Sequence, residues 1–147
     1  MISAHEHYLR GLDLEEADRQ AARNAYEACL AGDCSHSEAR INLGRLLHLE
    51  GMHADAEGIY RATQEADATL FFNLAVLMED SGREADAIKY YQEALVHDPG
   101  LVDAHFNLSL LQERRGEAQS AYRHRLAYLR LIDAHQNPAD YSAAEEA

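Results

Sequence analysis

Many side chains in this sequence could bind a metal or catalyse a reaction, because it holds nine histidines, two cysteines and twenty-six acidic residues. Their spacing does not bring them together. No two histidines stand four residues apart, the separation that would direct two imidazoles of one helix to a zinc ion. The sequence also lacks a glycine-rich phosphate loop and a nucleophile elbow. Acidic pairs such as Glu79 and Asp80 are typical of a solvated helix face. We therefore predict no catalytic residue and no cofactor.

The two cysteines favour a structural role. Cys29 stands on a predicted helix face that needs a small buried residue, and a free cysteine packs well in such a place. Cys29, Cys34 and nearby His36 have no known metal-binding spacing, so we predict no metal site, although a small site built from these three residues stays open as an alternative. Unpaired cysteines and the absence of a secretory signal favour a reducing cytoplasm.

Asparagines form a more regular polar pattern. Each lies near the start of an apolar helix, in INLG at 41–44, FNLA at 72–75 and FNLS at 106–109. Asparagine is a mediocre helix former, because its amide competes with the backbone for hydrogen bonds. The same amide offers a donor and an acceptor, so it can pair with the backbone of an extended peptide whatever the peptide's side chains are. The pattern indicates either peptide binding or a hydrogen bond between neighbouring repeats, and the sequence leaves both open.

The elements that position these asparagines repeat with them. Asn42, Asn73 and Asn107 are 31 and 34 residues apart, and leucine, glycine and alanine keep the same register. The positions that repeat at this spacing are Leu43, Leu74 and Leu108; Leu46, Leu77 and Leu111; Gly51, Gly82 and Gly116; and Ala56, Ala87 and Ala121. Each glycine suits the left-handed C-cap of a helix, and a second helical pattern follows it. We therefore predict an all-α fold of antiparallel helix pairs.

The repeating unit resembles the tetratricopeptide repeat (TPR), most closely at residues 68–101. There Leu74-Ala75, Gly82, Ala87, Tyr91 and Pro99 stand at the family's marker positions. The resemblance implies an α-solenoid of about four repeats within 1–136, followed by a flexible tail at 137–147. The repeats it implies are 3–36, 37–67, 68–101 and 102–135.

The four repeats depart from the TPR pattern in different ways. The second is three residues short, which predicts a shorter second helix or a shorter turn after it. The fourth has Arg125 at the aromatic position. In the first, Ala17 replaces the glycine, and the register places Leu9 as the counterpart of Leu43.

The three asparagines share a helix face that lies off the main packing stripe. At about 100° per residue, Asn73 shares its face with Val76, whereas Leu74 and Met78 lie opposite. The resemblance implies that stacked repeats align these faces into a concave groove, similar to the asparagine ladder of O-linked N-acetylglucosamine transferases. We predict that a protein or peptide partner binds Asn42, Asn73, Asn107, Ile41, Arg45, Phe72, Val76, Phe106, Leu110 and Arg114. The groove lacks the lysines with which chaperone-binding TPRs clamp an acidic tail.

Charge narrows the choice of partner. The formal net charge of −13 disfavours nucleic acid and anionic membranes, and no apolar run approaches the length of a membrane span. The TPR resemblance therefore implies a non-enzymatic protein-interaction module.

The end of the chain favours a second subunit. The segment YRHRLAYLRLIDA has more apolar residues than one buried stripe can hold, and a repeat array needs its last face covered. A homodimer through this helix would cover it, and Tyr141 of the tail could also dock there. The chain also resembles the TPR region at the C-terminal end of some bacterial MerR-type regulators, although no basic recognition helix is present. The alternative function is therefore an oligomerisation or regulatory domain of a larger, transcriptional regulator.

Overall fold

Eight α-helices account for most of residues 1–139, the part of the chain that the computed structural model describes. The first compact unit ends at Ala66, and the second begins at Asp67. The first unit contains α1 (Ala4–Leu14), α2 (Arg19–Gly32), α3 (Ser37–Leu49) and α4 (His53–Arg61). The second contains α5 (Ala68–Asp80), α6 (Glu84–His97), α7 (Val102–Arg114) and α8 (Ala118–Gln136). No strand occurs among the described residues, so the predicted all-α fold is confirmed.

Within each unit, every helix packs against the next one through a connection of three or four residues. Such short connections make neighbouring helices antiparallel. Four helices begin at a side chain that accepts a backbone N–H: Ser3 from Glu6 at 3.2 Å, Asp18 from Ala21 at 3.0 Å, His36 from Ala39 at 3.2 Å, and Asp67 from Leu70 at 2.9 Å. These caps satisfy donors that the first turn leaves without a partner.

Glycine ends the first helix of three pairs, as predicted. Gly51, Gly82 and Gly116 have φ of 79°, 75° and 78°, in the left-handed region that side chains with a Cβ rarely adopt. After α5, the Gly82 N–H donates to the Glu79 carbonyl at 3.0 Å and the following N–H donates to the Met78 carbonyl at 2.8 Å. This pattern turns the chain sharply into the next helix.

A tyrosine of the second helix fills the centre of each of the first three pairs. Tyr26, Tyr60 and Tyr91 are fully buried. Gly44 leaves room for the Tyr60 ring, because a Cβ there would lie 2.7 Å from its Cδ1 atom. Gly11 has the same relation to Tyr26.

The predicted register of α1 is therefore wrong by one residue. Gly11, rather than Arg10, is the counterpart of Gly44, because the ring of Tyr26 needs the space that glycine leaves. Leu9 does not take the buried place of Leu43 and is largely exposed.

Helix lengths depart from the regular pattern at two points. α4 has nine residues, whereas α2 and α6 have fourteen, which confirms that the short repeat loses part of its second helix. α8 is longer, with nineteen residues. No helix in residues 1–139 combines the length and hydropathy needed to cross a bilayer. Tyr141 and most of the predicted tail lie outside the described residues, and the division into four repeats stays a prediction.

Candidate peptide-binding faces

Two of the three asparagines bind a tyrosine of the preceding helix. Asn42 of α3 donates its Nδ2–H to the hydroxyl of Tyr26 in α2 at 3.4 Å. Asn107 of α7 donates in the same way to Tyr91 in α6 at 3.3 Å. Both are long hydrogen bonds, and each joins one helix pair to the next inside a single unit. The hydrogen bond between neighbouring repeats, one of the two expected roles, is therefore present at these two positions.

The same tyrosines donate a hydrogen bond to a carboxylate, and an arginine donates to that carboxylate as well. In the second unit the Tyr91 hydroxyl donates to Glu79 Oε1 at 2.9 Å, and Arg114 donates to Glu79 Oε2 at 3.2 Å. We call these residues with Asn107 the Glu79 network. In the first unit, Glu15, Tyr26, Asn42 and Arg45 form the equivalent Glu15 network, in which Tyr26 and Arg45 both donate to Glu15.

Burial raises the pKa of these tyrosines above its ordinary value. Loss of solvent raises the pKa of Tyr91 above its ordinary value, and the adjoining Glu79 carboxylate raises it further. Loss of solvent and the hydrogen bond to Glu15 act in the same way on Tyr26. The Glu79 side chain is 28% exposed, so it stays partly solvated while it accepts hydrogen bonds from both Tyr91 and Arg114.

The apolar residues beside the asparagines differ in exposure. Phe106 and Leu110, one turn apart on α7, are 40% and 41% exposed. The Phe106 ring also packs on Tyr128 of α8, with 5.0 Å between ring centroids. Phe72 is half-buried and meets Tyr91 edge-on at 5.9 Å, and Val76 is half-buried as well.

Ile41, one of the residues predicted to bind a partner, differs from Phe106 in exposure. Its side chain is 7% exposed, so it belongs to the core of the first unit. The short branched side chain is enclosed by the unit, whereas the longer ring of Phe106 reaches the surface.

The third asparagine has a different setting. Asn73 is half-buried and makes no side-chain hydrogen bond to a described residue of its own unit. The hydroxyl of Tyr60 is fully buried and has no hydrogen-bond partner in the described chain. Tyr26 and Tyr91 each have a glutamate eleven or twelve residues before them and an asparagine sixteen after, whereas at the same distances Tyr60 has Leu49, His48 and Val76. This spacing is the signal that sequence reasoning missed.

A histidine pair also joins two helices. The Nδ1 atoms of His105 in α7 and His124 in α8 lie 3.0 Å apart, and His105 Nε2 lies 2.8 Å from the Pro99 carbonyl oxygen. Because the carbonyl only accepts, His105 Nε2–H donates to it, and His124 Nδ1–H donates to the bare Nδ1 of His105. Burial lowers the pKa of His124, and the nearby His105 lowers it further.

The described residues contain no group of three or more histidine, cysteine or acidic side chains placed to hold a metal ion. Cys29 is a buried free thiol and Cys34 an exposed one. The asparagine-bearing faces present amide groups and apolar side chains, which offer hydrogen bonding and apolar contact.

The chain is similar to known tetratricopeptide repeat proteins in both sequence and structure. Models of the tetratricopeptide repeat match residues 12–71 and 68–101. The TPR repeat-containing thioredoxin TTL4 of Arabidopsis thaliana is 31% identical over 109 residues, which cover 72% of this chain and 16% of that protein. The structure of PilF from Pseudomonas aeruginosa matches with a TM-score of 0.83 at 18% identity, covering 88% of this chain and 61% of PilF. YrrB, described as a TPR protein with an unusual peptide-binding site, matches with a TM-score of 0.73 at 19% identity, covering 92% of this chain and 70% of YrrB.

These likenesses confirm the TPR repeats and the α-solenoid of helix pairs. At 18% and 19% identity, the structural matches show a shared fold and nothing about function. The chain spans only a sixth of TTL4 and about three fifths of PilF, so the activities of those whole proteins do not carry over to it. The resemblance to MerR-type regulators stays a prediction.

Proposed function

We propose that this chain, which belongs to the tetratricopeptide repeat family, is a non-enzymatic module that binds an extended peptide segment of a partner protein on its asparagine-bearing faces. The observation that carries the proposal is the α7 face, where the partly exposed apolar side chains of Phe106 and Leu110 stand next to Asn107 on the helix. Apolar side chains supply burial, and amides fix the direction of a peptide backbone.

The hydrogen bond to Tyr91 uses only part of the hydrogen-bonding capacity of the Asn107 amide. A carboxamide has two N–H donors and an acceptor oxygen, and the bond from Asn107 to Tyr91 takes one donor. The tyrosine fixes the orientation of the amide, which lowers the entropy that a peptide must remove on binding. Structural linkage and peptide binding are therefore compatible at this residue.

The arginines on these faces restrict the charge of the peptide. Arg45 and Arg114 already bind Glu15 and Glu79, so an acidic peptide would have to displace a carboxylate in each network. The chain also carries a net charge of −13, which repels acidic segments. The expected peptide is neutral or basic, with apolar side chains at alternate positions.

A display selection of short random peptides against the full chain tests this proposal. Asn73→Ala should weaken the selected peptides by about fivefold, the equivalent of one hydrogen bond, without a change in the unfolding midpoint. Phe106→Ala should weaken them as well. Gln92→Ala is the matched control, because it removes an exposed carboxamide from α6. Selected peptides that bind Asn73→Ala and Phe106→Ala as well as the wild type would contradict the proposal.

A homodimer through α8 is a second candidate function, favoured by one observation. Only Ala121 of this nineteen-residue helix is buried, and Leu129 is 53% exposed. An exposed apolar helix face gains stability when a second copy covers it. Sedimentation over a wide concentration range should show a dimer that Leu129→Glu dissociates. A wild-type chain that stays monomeric throughout would remove this candidate.

The remaining expectations belong to the same proposal. A reducing cytoplasm agrees with the free thiols of Cys29 and Cys34. A partner other than nucleic acid or membrane agrees with the acidic charge.

A further inference from the structure

A second open surface lies wholly within the first unit. A cleft of about 730 Å³ opens between α2, α3 and α4. Its floor is apolar, formed by Leu30 of α2, Leu43 and Leu47 of α3 and Ile59 of α4. Its volume falls in the range of pockets that hold ligands.

This cleft lies on a different side of α3 from the asparagine. Successive residues turn by about 100°, so Leu43 and Leu47 point about 100° and 140° away from Asn42. The cleft is therefore separate from the proposed peptide-binding face, and a ligand there would not touch the Glu15 network.

A glycine inside α4 opens the cleft. Gly58 lines it, and a Cβ at this position would meet no atom within 4 Å. Its φ is not in the left-handed region, so neither the backbone nor packing inside the unit calls for glycine. Glycine is among the poorest helix formers, so its use here needs another reason. The equivalent residues, two after the buried alanine of each other second helix, are Asn24 in α2, Lys89 in α6 and Arg123 in α8.

Charges of opposite sign mark the two ends of the cleft. Arg40 stands in the first turn of α3 and Asp55 in the first turn of α4, and because these helices are antiparallel the two residues lie at opposite ends. Arg40 donates to the Cys34 carbonyl at 2.6 Å and has no carboxylate partner among the described residues. Arg23, by contrast, already binds Glu27 and Glu50.

We infer that this cleft docks a short amphipathic helix of a partner protein. The floor extends from Arg40 to Leu47, about two helical turns, which matches the contact face of such a helix. Ala54 and Gly58, one turn apart, let the backbone of the docked helix come close. An acidic side chain at one end of that helix pairs with Arg40, and a basic side chain at the other end faces Asp55.

The test is a display library of amphipathic helices about four turns long, selected against the full chain and measured by fluorescence anisotropy. Selected peptides should carry an acid and a base at opposite ends of the apolar stripe. Gly58→Lys should weaken them at least about tenfold, the loss expected when a side chain fills a central contact. The variant should still fold, because α6 carries a lysine at this position. Gly58→Ala is the matched control and should leave affinity within about twofold, since it adds only a methyl group.

Charge exchange gives a second readout. Arg40→Glu should weaken the selected peptides, and replacing the peptide's acid by lysine should restore binding to this variant. The inference fails if no peptide binds below about 100 μM, or if Gly58→Lys leaves affinity unchanged. If Phe106→Ala instead lowers the affinity of the peptides, they bind the asparagine-bearing face. A bound peptide whose circular dichroism shows no helix belongs to a different class of ligand. A change in oligomeric state on Gly58→Lys assigns the cleft to a second copy of the chain. Each of these three results also overturns the inference.

Discussion

Replacing Tyr91 by phenylalanine removes one oxygen from the Glu79 network and leaves the ring in the core. The hydroxyl donates to Glu79 at 2.9 Å and accepts from Asn107 at 3.3 Å. A hydrogen bond to a charged group contributes about 1.5–3 kcal/mol. Arg114 still binds Glu79 in the variant, and the carboxylate is partly open to water, so the lower end applies. We expect Tyr91→Phe to lower the free energy of unfolding by about 1.5 kcal/mol.

The same substitution at Tyr60 should act in the opposite direction. The Tyr60 hydroxyl is buried without a partner in the described chain, and burial of such a group costs about 1–3 kcal/mol. Tyr60→Phe removes this cost and keeps the packing of the ring. We expect the free energy of unfolding to stay the same or to rise by up to about 1 kcal/mol.

Urea unfolding followed by far-UV circular dichroism measures both variants against the wild type. In thermal unfolding of a chain of this length, a change of 1 kcal/mol in stability shifts the Tm by about 2–4 °C, which is readily resolved. A double-mutant cycle between Tyr91→Phe and Asn107→Ala isolates the bond between these two side chains. Equal losses in Tyr60→Phe and Tyr91→Phe would refute the reasoning, because they would mean that the two hydroxyls have the same surroundings.

Three further predictions follow from the same geometry. Gly44→Ala should destabilise by about 1–3 kcal/mol in urea unfolding, because its Cβ overlaps the Tyr60 ring. Gly82→Ala should lower the Tm through a cost of about 1–2 kcal/mol, because φ is +75° there. The pKa of His124 is lowered from 6.5 by burial and His105, so the unfolded chain binds the proton more readily. The urea midpoint should therefore be highest above about pH 6.5 and fall below it, and His124→Gln should reduce that fall.

The helix pairs could be predicted from the sequence because their cause is local. Apolar periodicity sets each helix, and the glycines at 51, 82 and 116 end three of them with a positive φ that few other residues adopt. The short α4 followed from three missing residues. The one-residue error in α1 arose because Leu9 fits the marker pattern, whereas the space beside the Tyr26 ring, which selects Gly11, is a property of packing between two helices.

The candidate site was less predictable, because its bonds run between helices. The two networks use arginines at different positions of the repeat. Arg45 stands three residues after its asparagine and Arg114 stands seven after, yet each donates to the equivalent glutamate. Residues three and seven apart share one helix face, so either position serves. An alignment by residue identity scores these arginines as unrelated and does not detect the interaction that recurs.

The three asparagines that define the repeat are therefore not chemically equal. Asn42 and Asn107 each orient a buried tyrosine and complete a charged network, so their presence is explained by structure inside their own units. Asn73 makes no side-chain hydrogen bond to a described residue of its unit, yet it lies half-buried on a helix where asparagine is a mediocre choice. Repeat linkage is therefore observed at Asn42 and Asn107, whereas a peptide contact at Asn73 stays a prediction, which the Asn73→Ala variant tests.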